Sequence, residues 1–237
     1  MTVKRAKNQI SNNRLTKRNT MKNIPKDWFN PECQICPRLS AHLTEIAARY
    51  PTYHCRPVPP FGSTKAKLLI VGLAPGRHGA NATGRVFTGD HAGILLYETL
   101  YELGIASQLQ STSSTDSMSL NNCRITNAVK CLPPKNKPTA IEVAACNRYL
   151  NAEVNDMSTT GVIVALGRLA HNAILKALSL KLSETPFGHG SEYHLSDGKK
   201  LISSYHCSRY NTQTRRLTKV MFYEVLKRAA LLAAIRV

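Results

Sequence analysis

The chain has 237 residues, 43% of them hydrophobic and 19% charged, which suits one α/β domain of ordinary to large size with its own core. Lys and Arg outnumber Asp and Glu by 32 to 14, a formal charge of +18, which points to a polyanionic partner, nucleic acid before an acidic membrane surface. No apolar run approaches the length that spans a bilayer and no signal-peptide core follows the basic start, so the expectation is a soluble cytoplasmic protein, nucleoid-associated and not membrane-bound.

Residues 1–26 hold eight Lys or Arg and no Asp or Glu. They lack apolar periodicity and read as a disordered basic arm, with Met21 as an alternative start. The remainder, 27–237, reads as one domain and keeps a charge of +10 (18 minus 8). From Pro37, Leu39, Leu43, Ile46 and Tyr50 fall at helical spacing. "KLLIVGLAPG" is a short apolar run ending in Gly and Pro, the pattern of a buried parallel strand. "AGILLYETLYELGI" reads as a helix with a Gly stop, and the Ser/Thr-rich stretch 107–122 as a mobile insertion. "CRITNAV" is a second strand. Thr139 with Glu142 three residues later is a capping-box pattern opening the next helix. "GVIVALG" is a third strand, followed by a helix over 168–180; "KLISSY" is a fourth, and 217–235 is a closing helix.

Strands alternating with helices predict an α/β fold: three layers, α/β/α, around a central, mainly parallel four-stranded sheet. In such folds ligands bind at the carboxyl ends of the strands. "GLAPGRHGANATGR", "NAVKC" and "SYHCSRYNT" all follow strands, so three separate loops converge on one cleft.

The glycine-rich "GANATGRV" places Arg85 and Val86 where a P-loop needs Lys and a hydroxyl, and "GLAPG" is no dinucleotide fingerprint. The loop reads as a turn needing glycine's conformational freedom or as a ligand loop. Seven cysteines in a reducing compartment call for metal binding or plain burial. Cys33, Cys36, Cys131 and Cys146 give C-x2-C-x94-C-x14-C. Spacing alone leaves an iron–sulfur cluster, zinc and unconnected buried thiols open. Cys55, Cys123 and Cys207 read as small buried hydrophobes, with Cys207 beside His206 as a candidate reactive thiol. His78, His189 and His206 fall on the predicted cleft loops, without the spacing of a metal triad.

At "GLAPGRHGANATGRVFTGD", "TNAVKC", "FGHG" and "SYHCSRYNT" the chain resembles the family 5 uracil-DNA glycosylases, the iron–sulfur type, from about Asp27 to Arg228. The related family 4 enzymes share "TGR-x-F" but carry an acidic residue where this chain has Leu73. The resemblance implies a [4Fe–4S] cluster on Cys33, Cys36, Cys131 and Cys146, tying the N-terminal helix to the loop after the second strand. It implies a hydrolase that excises uracil, and other deaminated bases such as hypoxanthine, from double- or single-stranded DNA, acting as a monomer. The target nucleotide must be flipped out of the duplex. By analogy Phe87 stacks on the extruded base, Asn127 reads one edge of it, and His206 donates to the base oxygen as charge develops. Gly72, Ala74 and Gly76 shape the pocket.

No Asp or Glu occurs from Lys67 through Gly89. Water positioning therefore falls to Asp90 or to the neutral Asn81, with Thr83 behind it. Asp90 reads equally as the cap of the following helix, and Asn81 as a turn residue. Lys135, Lys137, Arg209, Arg215 and Arg216 are the candidate DNA-phosphate contacts. The competing reading is a non-catalytic nucleic-acid-binding module with a structural four-cysteine metal site.

Overall fold

A computed structural model describes residues 24–237, so the basic arm expected over 1–26 lies outside the described residues except for its last three. Seven α-helices and six strands are present among them: α1 Pro37–Arg49, β1 Phe61–Gly62, β2 Leu68–Gly72, α2 Ala80–Thr83, α3 His91–Glu102, β3 Cys123–Asn127, α4 Ala140–Asn155, β4 Val162–Leu166, α5 Arg168–Ala177, β5 Glu192–His194, β6 Lys200–Ser204, α6 Arg209–Gln213 and α7 Lys219–Leu232.

The strand order is β1-β3-β2-β4-β6-β5. The four central strands run parallel, as the apolar runs predict, and β1 and β5 add antiparallel edges. The sheet thus has six strands and not four, because edges of two and three residues carry no periodic signal.

Strand alternation sorts the core into two layers. Leu68, Ile70, Val162 and Val164 face α3 and α7, meeting Leu96, Leu100, Phe222 and Leu226. Leu69, Val71, Ile163 and Ala165 face α4 and α5, meeting Leu150, Val154, Ala170 and Ile174. Each such side chain contributes about 1.5–3 kcal/mol on burial, so the α/β/α sandwich follows from the apolar runs. α4 opens on the expected capping box: Thr139 accepts from the Glu142 amide, and Glu142 accepts from the Thr139 amide at 2.7 Å. The helix read over 168–180 ends at Ala177, and the closing helix spans 219–232 instead of 217–235.

Segment 107–122, read as a mobile insertion, is tied to the body at several points. Ala106 and Leu120 form a β-bridge, Met118 is buried in the core, and Asp116 pairs with Arg85.

Candidate active site

In chain order the parallel strands are β2, β3, β4 and β6, and the sheet places β2 between β3 and β4. The direction of winding reverses there, and the crevice beyond such a reversal is where open α/β sheets bind ligands. A cavity of about 300 Å3 lies at these carboxyl ends, lined by Ala74, Gly76, Phe87, Asp90, Asn127 and His206 among others. That is the small end of ligand cavities, about 300–1,000 Å3, and suits a single base.

Each lining group has a local reason for its place. Asn127 is the last residue of β3 and is almost fully buried. Gly72, the last residue of β2, does not line the cavity but permits it. A Cβ there would meet Asn127 Oδ1 at 2.5 Å and the Phe87 ring at 2.6 Å. Phe87 sits in the left-handed region, φ 53°, a conformation that costs a bulky residue about 1–3 kcal/mol. Its ring lies 6.2 Å from that of His206, inclined by 30°.

Asp90 is placed for both readings: it caps the following helix and also lines the cavity. Oδ1 accepts from the Gly93 amide at 2.9 Å and caps α3. The carboxylate also lines the cavity, and Oδ2 lies so near the glycine loop that a Cβ on Gly79 would meet it at 2.4 Å. Burial holds His206 below the usual histidine range, and the nearby Asp90 carboxylate partly offsets this. The imidazole is therefore neutral at pH 7, with one N–H to donate.

Asn81 is not in this group. The four-residue α2 turns its side chain away from the cavity, where Nδ2 reaches Cys55 Sγ at 3.5 Å and Oδ1 is buried without a partner. Thr83 is spent on backbone carbonyls, including that of Thr88 at 3.2 Å. His78 is exposed and bonds Tyr53 Oη at 2.9 Å. His189 stacks on Tyr205 at 5.0 Å and accepts from its amide at 3.1 Å, so "FGHG" braces the His206 loop from behind. Cys207 is fully buried and its thiol is pushed far up by burial, an inert core residue in place of the reactive thiol considered above.

The cations differ in placement. Lys135 and Lys137 are exposed and flank Asn136, which lines the cavity. Arg209 lines an adjoining cleft of about 410 Å3 that also reaches Asp90. Arg216 is held over the Tyr205 ring at 4.6 Å, and Arg215 is exposed. Sequence reasoning missed Asn136 and Ser208 as lining residues. The signal for Asn136 was its residue type: its φ is 55°, and Asn tolerates the left-handed region better than most.

A second, smaller cavity is lined by Cys33, Cys36, Cys131 and Cys146, with Leu39, Val129 and Tyr149 packed around them. Burial pushes the Cys131 thiol up to about 12, and repulsion from the other three cysteines adds to it. Burial likewise raises Cys36 and Cys146. Four thiolates can coexist here only around compensating positive charge. No three His, Cys, Asp or Glu side chains among the described residues are close enough to hold a single metal ion. Four cysteine sulfurs around one cavity are a donor set that suits an iron–sulfur cluster or zinc.

The family described as "Uracil DNA glycosylase superfamily" matches residues 59–230. The chain belongs to the uracil DNA glycosylase superfamily. Among curated relatives, the type-5 uracil-DNA glycosylase of Thermus thermophilus is 47% identical over 86% of this chain and 94% of its own length. That of Pyrobaculum aerophilum is 40% identical over 87% and 94%. The type-4 uracil-DNA glycosylase of Thermotoga maritima is 33% identical over 62% and 67%, so this superfamily member lies nearer the type-5 group.

Beneath the site this superfamily member carries a feature that the sequence did not announce. Glu153 of α4 is fully buried between two buried cations, Arg124 Nε at 2.8 Å and Lys130 Nζ at 3.4 Å. Arg124 also donates to the Ser63 and Thr64 carbonyls, each at 2.9 Å, and stacks on Trp28 at 4.3 Å. Lys130 donates to Thr126 at 2.5 Å, and its amide faces Cys146 Sγ at 3.4 Å. The network joins the base of the Asn127 loop to the cysteine cavity.

No helix among the described residues is long and apolar enough to cross a membrane.

Proposed function

We propose that the protein is a DNA-repair glycosylase that flips uracil out of DNA and hydrolyses its N-glycosidic bond, leaving an abasic site. One observation carries this reading: Phe87 and Asp90 from one loop, Asn127 from a second segment and His206 from a third line a single cavity of base size. Binding alone gives no reason for that convergence. The names of the type-5 relatives agree with it.

In this reading Phe87 stacks on the everted base and the Asn127 amide matches a donor–acceptor edge. A wrong base leaves that buried amide unpaired, which is how such sites discriminate. The bond from the sugar C1′ to the base nitrogen breaks and its electron pair leaves with the base. The neutral His206 donates to the base oxygen where the charge gathers. Asp90 orients water toward C1′ and accepts its proton as the new C–O bond forms; the base leaves as an anion and takes a proton from solvent, to which Asp90 gives its own back. Asn81, facing Cys55, serves the loop and not the water.

Cys33, Cys36, Cys131 and Cys146 are the residues that would hold a [4Fe–4S] cluster. Bound there, it would supply a structural cross-link between α1 and the loop after β3. Lys135, Lys137, Arg209, Arg215 and Arg216 neutralise backbone phosphates, single- or double-stranded, giving a log–log salt slope near about −5 for some six contacts. The expected working form is a monomer, on the nucleoid.

The test is incubation with duplex and single-stranded DNA carrying one uracil or one hypoxanthine, scored for free base and for alkali-labile sites. Release of uracil supports the reading. Tight binding without release of either base supports the binding-module alternative. The same preparation tests the centre: a broad absorption in the blue that Cys131→Ala abolishes supports iron, and a colourless wild type carrying zinc overturns it.

A further inference from the structure

The segment 107–122 crosses the loop that carries Phe87, and its hydrogen bonds fall on both sides of that residue. Arg85, two residues before Phe87, is buried to 7% exposure. Its Nη1 pairs with the Asp116 carboxylate and donates to Ser111 Oγ at 3.0 Å, and its Nη2 donates to the Ser114 carbonyl at 3.1 Å. Its guanidinium also stacks on Phe61 at 4.4 Å. Thr88, the residue after Phe87, shares a 2.8 Å bond with Ser111 Oγ. Asp116 in turn accepts from the amides of Thr112, Ser113 and Met118 at 2.9, 3.2 and 3.1 Å. Tyr97 Oη donates to the Val86 carbonyl at 3.1 Å and closes the set.

We infer that this strap is the positioning device for the stacking ring, with Asp116 and Ser111 acting through Arg85 and Thr88 on Phe87. The inference rests on the base-excision reading. Two observations carry it. A left-handed phenylalanine persists only where its surroundings over-determine it. The restraints on Arg85 and Thr88 are directional polar contacts, among them the part-buried Arg85–Asp116 pair, and such a pair is weak evidence for stability. Asp116 and Ser111 are positioning residues: neither lines the catalytic cavity.

The test is a double-mutant cycle. In single-turnover release of uracil, Asp116→Asn should slow the reaction about 10- to 100-fold, the scale of a small misplacement of a reacting partner. DNA affinity should stay unchanged. In a Phe87→Ala background the same substitution should have no further effect, because the ring through which it acts is gone. Ser111→Ala should repeat the pattern at smaller size and covers the case in which Asp116→Asn folds poorly. An equal loss in both backgrounds overturns the inference. An activity-independent readout separates it from the functional reading. With fluorinated phenylalanine at the five Phe positions, the Phe87 resonance should be a single line in the wild type and shifted or split in Asp116→Asn. An unaltered Phe87 line refutes the strap. If the wild type releases no base, the base-excision reading fails and the fluorine spectrum alone decides.

Discussion

The catalytic cavity and the cysteine cavity lie four residues apart along the chain, at Asn127 and Cys131, yet they use burial in opposite ways. In the first, burial favours the neutral form of His206, which on the proposed reading leaves an N–H for charge that appears only in the transition state. In the second, burial pushes thiols away from the anionic form, so thiolates form there only with something positive placed among them. On the proposed reading one region accepts and discharges a base, and the other holds a cluster. The Arg124–Glu153–Lys130 set reaches from the strand that ends at Asn127 to Cys146 of the cysteine cavity.

The largest expected effect comes from breaking that link. Glu153→Ala leaves two interior cations uncompensated and should cost about 3–5 kcal/mol. Denaturant unfolding measures it, and a midpoint that barely moves would mean that the network does not couple the two regions. Next is the cavity alone. His206→Ala should slow base release about 10²–10³-fold, the scale of losing one donor aimed at developing charge. DNA affinity, measured by filter binding, should hold, and an equal loss of both would remove the role given to the imidazole. The smallest effect is on pH dependence. Burial lowers His171, His189 and His206 alike. The unfolded chain takes up protons below about pH 6.5 while the folded protein resists. Stability is thus complete above that pH and falls as pH drops through it, by up to about 1.4 kcal/mol per pH unit for each histidine. Unfolding at pH 7.5 and 5.5 tests the slope. His171→Gln should remove one proton's share, since His171 bonds Ser203 and Thr185, both at 2.8 Å, and touches neither cavity.

The four parallel strands were legible because each is a continuous apolar run, which also put Asn127 at a strand end and His206 just after one; Phe87, far along the glycine-rich loop, came only from the family resemblance. Asp90 was legible by exclusion, as the first acid after the glycine loop. Asn81 misled: an amide in a glycine-rich loop reads as a ligand, and only the turn of α2 reveals that it faces Cys55. The Ser/Thr-rich strap misled in the other direction. Its composition signals mobility, but pairing between Arg85 and Asp116, thirty-one positions apart, has no local trace. Arg124, Lys130 and Glu153 were invisible for the same reason, since a charged residue is read as exposed unless its partner is known.

The sheet's short margins matter for a cationic protein crowded along a polyanion. β1 is two residues long and follows Pro59 and Pro60, which have no amide hydrogen to offer; β5 is three residues long. An unpaired strand is a template on which another copy can extend the ladder, and very short edges, one of them preceded by two prolines, deny it. Neighbouring molecules gathered by the same phosphates therefore find almost no backbone to zip onto, and high local density need not become aggregation.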